Sequence, residues 1–135
     1  MSKYKVLCTI PVVCIAVAIT VLSHISAPPM VDMGFEFQDK ILHVLAYTCF
    51  GIAFSLALFA RRPDMPKRRF MLIVVLATAL FGLYDELHQS LVPNRQAGID
   101  DWIADCIGGG VSLLFRPVVI WMAGFVKHYV SQSGS

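Results

Sequence analysis

Long runs of apolar residues alternate with short polar segments along this chain. Three runs, each about twenty residues long, cover 6–23, 38–60 and 70–91, and a fourth begins near Asp100. Because roughly 20 helical residues at a rise of 1.5 Å cross the hydrocarbon layer, each run predicts a membrane-spanning helix. The pattern therefore predicts an all-α, polytopic membrane protein built as a bundle of four transmembrane helices.

The polar segments between the runs predict loops. Segment 26–37 contains Pro28-Pro29, segment 61–69 is charged and carries two prolines, and 92–98 has the composition of a turn. The end of the fourth run stays open, since Arg116-Pro117 interrupts it. Either 118–130 lies as a partly interfacial helix, or one kinked helix continues to Val126. The tail 131–135 is predicted to be disordered.

Composition supports a membrane protein and excludes a water-soluble core. Hydrophobic residues make up 57% of the chain, charged residues 15%, and the mean hydropathy is +0.69. Soluble domains average about 45–50% apolar and about 25% charged residues. We expect a single transmembrane domain over 1–135, with membrane lipids as its surroundings and no nucleic-acid partner. An oligomer is compatible with a unit of this size.

The basic residues predict the orientation. Eight of them fall on one side of the predicted membrane: Lys3, Lys5, Arg61, Arg62, Lys67, Arg68, Arg69 and Lys127. Only Lys40 and Arg95 fall on the other, with Arg116 uncounted. By the positive-inside rule, both termini and the 61–69 loop should be cytoplasmic. The loops 26–37 and 92–99 should then face outward.

Ionisable and other polar residues concentrate at the predicted outward ends of three helices. They are Asp39, Lys40, His43 and Tyr47 on the second span, Asp85, Glu86, His88 and Gln89 on the third, Arg95 in the turn, and Asp101 and Asp105 on the fourth. Ionised groups at the edge of the hydrocarbon are costly unless they face protein or water, so they normally mark function. The simplest packing gathers His43, Asp85 and Asp105 around one polar pocket.

Several of these residues also have a structural interpretation. Asp39, Asp100 and Asp101 begin helices, where a carboxylate can cap free N–H groups and complement the dipole. Capping does not explain Asp85 and Glu86, which lie near a helix C-terminus where the dipole disfavours anions. These two acids need a cation, a protonated histidine, a metal or their own protonation. The histidines at the ends of the spans, His24 and His128, are expected to be interfacial bystanders.

Small residues predict where the helices approach closely. Gly108-Gly-Gly110 with Ser112, and Gly51 with Ser55, form small faces of the kind that pack membrane helices.

The order and spacing of the polar motifs resemble the VanZ-like family of small bacterial membrane proteins. The motifs are Asp39-Lys-x-x-His43, Asp85-Glu-x-His-Gln89, Pro93-x-Arg95 and Asp100-x-x-x-x-Asp105, within a core of about 38–115. The family is named for a member associated with teicoplanin resistance. The resemblance implies a multi-pass protein of the bacterial cytoplasmic (inner) membrane, acting on cell-wall or lipid-linked material. It supplies no settled reaction.

Three functions remain open. The leading interpretation is an envelope protein whose outward pocket binds the headgroup of a lipid or a cell-wall precursor, with Lys40 and Arg95 attracting phosphate or carboxylate. The alternative is a membrane enzyme acting on a phosphate or glycosidic bond of a lipid-linked substrate. The third is a cluster that only anchors helices. Cofactor and metal requirements are not determined by the sequence.

Overall fold

The computed structural model describes residues 2–25, 38–95 and 97–132. The predicted loop 26–37 lies outside the described residues, as do the last three positions of the predicted disordered tail. The first two residues of that tail, Ser131 and Gln132, belong to the last helix, so the tail prediction is wrong for them.

The described residues are almost entirely helical and contain no strand. They form α1 (Lys3–Leu7), α2 (Ile10–His24), α3 (Gln38–Arg61), α4 (Lys67–Gln89), α5 (Ile99–Ser112), a 3-10 turn (Leu113–Phe115) and α6 (Arg116–Gln132). Four helical segments within these ranges are long and apolar enough to cross a membrane: Lys3–His24, Gln38–Arg61, Lys67–Gln89 and Ile99–Gln132. The predicted four-span, all-α class is therefore confirmed.

Small residues place α5 against α3 and α4. An ideal Cβ on Gly108 would lie 2.6 Å from the Val44 carbonyl oxygen of α3, and one on Gly109 would lie 2.8 Å from Thr78 of α4. Gly51 of α3 meets Ser112 at the far end of α5 in the same way. The predicted close approach through glycine is confirmed at these positions. For Gly110, no atom of the described residues lies within 4 Å of such a Cβ.

The fourth span continues past Arg116 and packs along α3. Val119 and Ala123 of α6 are fully buried. They lie in one apolar cluster with Leu56 and Ala60, which belong to the C-terminal turns of α3. The 3-10 turn takes up the interruption before Pro117, which lies in the first turn of α6, where proline is tolerated. The structure thus favours one interrupted helix over a separate interfacial segment.

The bundle has chemically different ends. At one end, which we call the polar end, lie the N-termini of α3 and α5 and the C-termini of α2 and α4. At the other lies the basic segment between α3 and α4, with Arg61 and Arg62 at its start. The buried apolar residues lie between them, so the middle of the bundle has the composition of a membrane core.

Candidate functional site

Lys40 links α3 to the first turn of α5. Its ammonium contacts the Asp100 carboxylate and lies 2.8 Å from Asp101 Oδ1. The N-cap residue of α5 is Gly98, which provides no side-chain cap, so Asp100 and Asp101 complement the dipole from within the first turn. Because one ammonium faces two carboxylates, Lys40 carries little free positive charge for an incoming anion.

His43 and Asp105 form a second polar contact between α3 and α5. His43 Nδ1 lies 2.8 Å from Asp105 Oδ1, and Asp105 is fully buried. Gly82 of α4 makes room for this carboxylate, since a Cβ there would lie 2.8 Å from Asp105 Oδ2. The pair is therefore enclosed by three helices.

Glu86 and Asp85 connect the end of α4 to its neighbours in different ways. The Gly98 backbone N–H donates to Glu86 Oε2 at 2.9 Å, so Glu86 accepts one of the free amides that precede α5. Gln89 donates to Asp85 Oδ2 at 3.1 Å and to Ser23 Oγ of α2 at 3.2 Å. Asp85 therefore accepts a hydrogen bond from a neutral amide side chain.

Five buried polar atoms at this end have no hydrogen-bond partner among the described residues: Tyr47 Oη, Asp85 Oδ1, Glu86 Oε1, Arg95 Nε and Asp105 Oδ2. Ion pairs in the same part of the chain join Lys40 to Asp100 and Asp101, and His43 to Asp105; none reaches Asp85 or Glu86. Buried carboxylate oxygens without donors are costly to the folded state.

Of the three residues predicted to converge, His43, Asp85 and Asp105, only His43 and Asp105 are in direct contact among the described residues. Asp105 contacts His43 and interacts electrostatically with Asp85, which makes its own hydrogen bond to Gln89. Tyr47 is buried beside the same acids and interacts electrostatically with Asp85, Glu86 and Asp105.

The other predicted site residues lie at the rim. Asp39, half-buried in the first turn of α3, offers an oxygen close to His43. Arg95 donates to the Leu22 carbonyl oxygen at 3.2 Å and joins no ion pair within the described ranges. His88 Nε2 lies 3.1 Å from His24 Nδ1. His24, at an exposed position, therefore contacts the motif-bearing helix α4.

Two sets of three side chains bring possible metal-ligand atoms within 4.8 Å of one another. One contains Asp39, His43 and Asp101, and the other contains His43, Glu86 and Asp105. The second set is the more buried of the two.

A groove between α3 and α5 opens beside the ionic groups. Its volume is about 330 Å³, and its lining is almost wholly apolar except at the end where Lys40 and Asp100 lie. The apolar walls are Ile41, Val44, Ile103, Ala104 and Ile107. From Asp100 to Ile107 the groove runs about 10 Å along the helix axis.

Three residues that form hydrogen bonds at or near the polar end were not predicted from the sequence. Ser23 and Leu22 end the first span, which carries no motif, and both accept hydrogen bonds from the polar end. Trp102 donates to the Ala79 carbonyl oxygen at 2.9 Å and so fixes α5 against α4. A serine or a backbone carbonyl at the end of an apolar run gives no periodic signal, so only the packing identifies them.

Four apolar spans and a buried polar cluster at one end of the bundle define a multi-pass membrane protein. A family model described as VanZ/LLP1 matches residues 7–121. Because the match covers most of the chain, the protein belongs to the VanZ/LLP1 family. The match includes most of the first span, which the predicted core of 38–115 leaves out. Comparison with curated proteins finds no match, and comparison with solved structures finds none either.

Proposed function

We propose that the protein binds a lipid at the polar end of the bundle, on the outer face of the bacterial cytoplasmic membrane. The observation that carries the proposal is the groove between α3 and α5, whose apolar walls end at Lys40 and Asp100. A volume of about 330 Å³ falls within the usual range of ligand pockets. An acyl or prenyl chain would lie between the isoleucines, and its headgroup would lie at the ionic end.

The charges favour a headgroup that carries both a phosphate and an amine. Lys40 has three N–H donors and engages two carboxylates, which leaves one donor for a phosphate oxygen. The Asp100 side chain is 63% exposed and can accept from an amine. A purely anionic headgroup would be attracted less strongly to this end of the groove, because the Lys40 ammonium already faces two carboxylates.

Two sources supply this chemistry, a zwitterionic phospholipid and a lipid-linked cell-wall precursor with a free amine. Family membership supports the second source and a link with glycopeptide resistance. A host lacking the protein would then become more susceptible to teicoplanin, and expression of the chain would restore resistance.

Binding can be measured with purified protein in detergent and spin-labelled lipids. We expect phosphatidylethanolamine to be immobilised more strongly than phosphatidylglycerol, and an unlabelled lipid-linked precursor to compete if it is the natural ligand. Ile103→Trp should fill the groove and abolish the immobilised component. Leu114→Trp, at a 77% exposed position outside the groove, is the matched control and should retain it. Equal binding by both variants would overturn the proposal.

A second candidate is an enzyme acting on a phosphate or glycosidic bond of a lipid-linked substrate. It is favoured by the buried His43–Asp105 contact, in which a carboxylate orients an imidazole as in general acid–base sites. Incubation with a lipid-linked precursor followed by mass spectrometry separates the two candidates. A new product that is lost in His43→Gln indicates an enzyme, whereas recovery of intact lipid indicates binding alone.

A further inference from the structure

The buried acids at the polar end have too few partners for the charge they carry. Asp105 is fully buried and Glu86 is 7% exposed, yet Asp105 Oδ2 and Glu86 Oε1 have no hydrogen-bond partner in the described part of the chain. His43 is the one ion-pairing group that reaches Asp105 there, and no such group reaches Glu86. Two carboxylates next to the hydrocarbon need a compensating charge or protonation.

The same two carboxylates and His43 present ligand atoms within 4.8 Å of one another. A bound cation with ligand bonds of about 2.0–2.2 Å would bring such atoms closer together, to roughly 3–4 Å. Small side-chain rotations would close the set. Glycine at position 82 is what admits the Asp105 carboxylate here, since a Cβ on Gly82 would lie 2.8 Å from Asp105 Oδ2. The Oε2 atom of Glu86 would stay on the Gly98 amide, which leaves Oε1 free to bind.

We infer that His43, Glu86 and Asp105 form a binding site for one divalent cation of the Mn²⁺ or Zn²⁺ type. A charge of +2 balances Glu86 and Asp105, so the assembly becomes neutral in its low-dielectric surroundings. An imidazole together with two carboxylates suits Zn²⁺ or Mn²⁺ better than Mg²⁺ or Ca²⁺, which prefer oxygen ligands alone. The inference does not depend on lipid binding.

The competing set of Asp39, His43 and Asp101 is the weaker candidate. Asp101 Oδ1 is held by the Lys40 ammonium at 2.8 Å, and a cation there would face a positive charge. Asp39 is half-buried and reaches water more easily, so its carboxylate has less need of compensation. The buried set also has supporting groups around it, since Tyr47 and Asp85 lie beside its acids and Gln89 fixes Asp85.

Mn²⁺ binding tests the inference on the full chain, stripped with chelator and held in detergent without added lipid. Calorimetry should find one Mn²⁺ per chain, with Mg²⁺ a weak competitor. Electron spin echo spectra of the bound ion should show coupling to a histidine nitrogen. Glu86→Gln and Asp105→Asn should each weaken binding by at least about ten-fold. His43→Gln should remove the nitrogen coupling.

Two further variants serve as controls. Asp64→Asn changes an exposed acid between α3 and α4 and should bind as the unmodified chain does. Asp39→Asn should also retain binding, since its carboxylate belongs to the other set. The inference is overturned if the unmodified chain binds no Mn²⁺ stoichiometrically, if nitrogen coupling is absent, or if Asp39→Asn weakens binding as much as Asp105→Asn. The wild-type measurements stand even where a variant fails to fold.

Discussion

Asp85 is the residue at which a ligand-binding role and a purely structural, helix-anchoring role can be distinguished. It lies near the C-terminus of α4, where the helix dipole disfavours a negative charge, and it is 1% exposed. Its hydrogen bond comes from Gln89, a neutral donor, and no ion pair reaches it among the described residues. The charge of Asp85 therefore contributes nothing favourable to folding through an ion pair.

We predict that Asp85→Asn folds and is at least as stable as the unmodified protein. The asparagine oxygen can still accept from Gln89, while removal of a charge at a helix C-terminus adds up to about 1 kcal/mol. Asp101→Asn is the matched comparison, because it removes a partner of Lys40 and should lower stability by about 1 kcal/mol. Thermal melts of both variants in one detergent check this. A larger loss for Asp85→Asn would identify it as an anchor.

The sequence indicated which residues belong to the candidate site, but it did not indicate which residues they contact. Depth in an apolar run and position within the helix dipole already single out Asp85, Glu86 and Asp105. The choice of partners depends on how each helix is rotated about its axis. Only the packed bundle shows that Lys40 pairs with two aspartates and that Glu86 accepts from Gly98.

At the scale of elements, the contact of α5 with α3 sets the separation of the site residues. Gly108 lies against the backbone of α3, and Thr48 Oγ1 donates to its carbonyl oxygen at 3.2 Å. The same two helices carry Lys40 and His43 opposite Asp101 and Asp105. Any displacement of α5 at Gly108 would therefore be transmitted to the polar contacts one to two turns away.

Gly108→Ala should destabilise the bundle by about 1–3 kcal/mol, because its Cβ would meet backbone atoms that cannot rotate away. Gly110→Ala, two residues further along α5, meets no atom within 4 Å and should leave stability unchanged or raise it by up to about 1 kcal/mol. Midpoints of thermal unfolding compare the two directly. Equal midpoints would show that close approach at Gly108 is not needed.

Element positions were predictable because hydropathy alone fixes them. The predicted spans 38–60 and 70–91 correspond to α3 (Gln38–Arg61) and α4 (Lys67–Gln89) within a few residues. The course of the chain after Arg116 was not predictable, since a proline after a charged residue permits either a stop or a kink. Burial of Val119 and Ala123 against α3 decides between them.

At the scale of the whole molecule, charge distribution predicts orientation. Basic residues gather at the end opposite the polar cluster, so the polar end should face outward. In a cysteine-free background, Ala97→Cys should react with an impermeant maleimide in intact cells. Asp64→Cys should react only after the membrane is opened. Labelling of both positions from outside would place the polar end and the basic segment on the same side, which contradicts the four-span topology.

We propose that the groove between α3 and α5 holds a lipid whose headgroup reaches Lys40. An electron-microscopy or crystal structure of the protein extracted with its native lipids tests this most directly. We expect continuous density along Ile103 and Ile107 that ends in a phosphate feature beside the Lys40 ammonium. A groove without such density, in a map that resolves lipids elsewhere around the bundle, would contradict it.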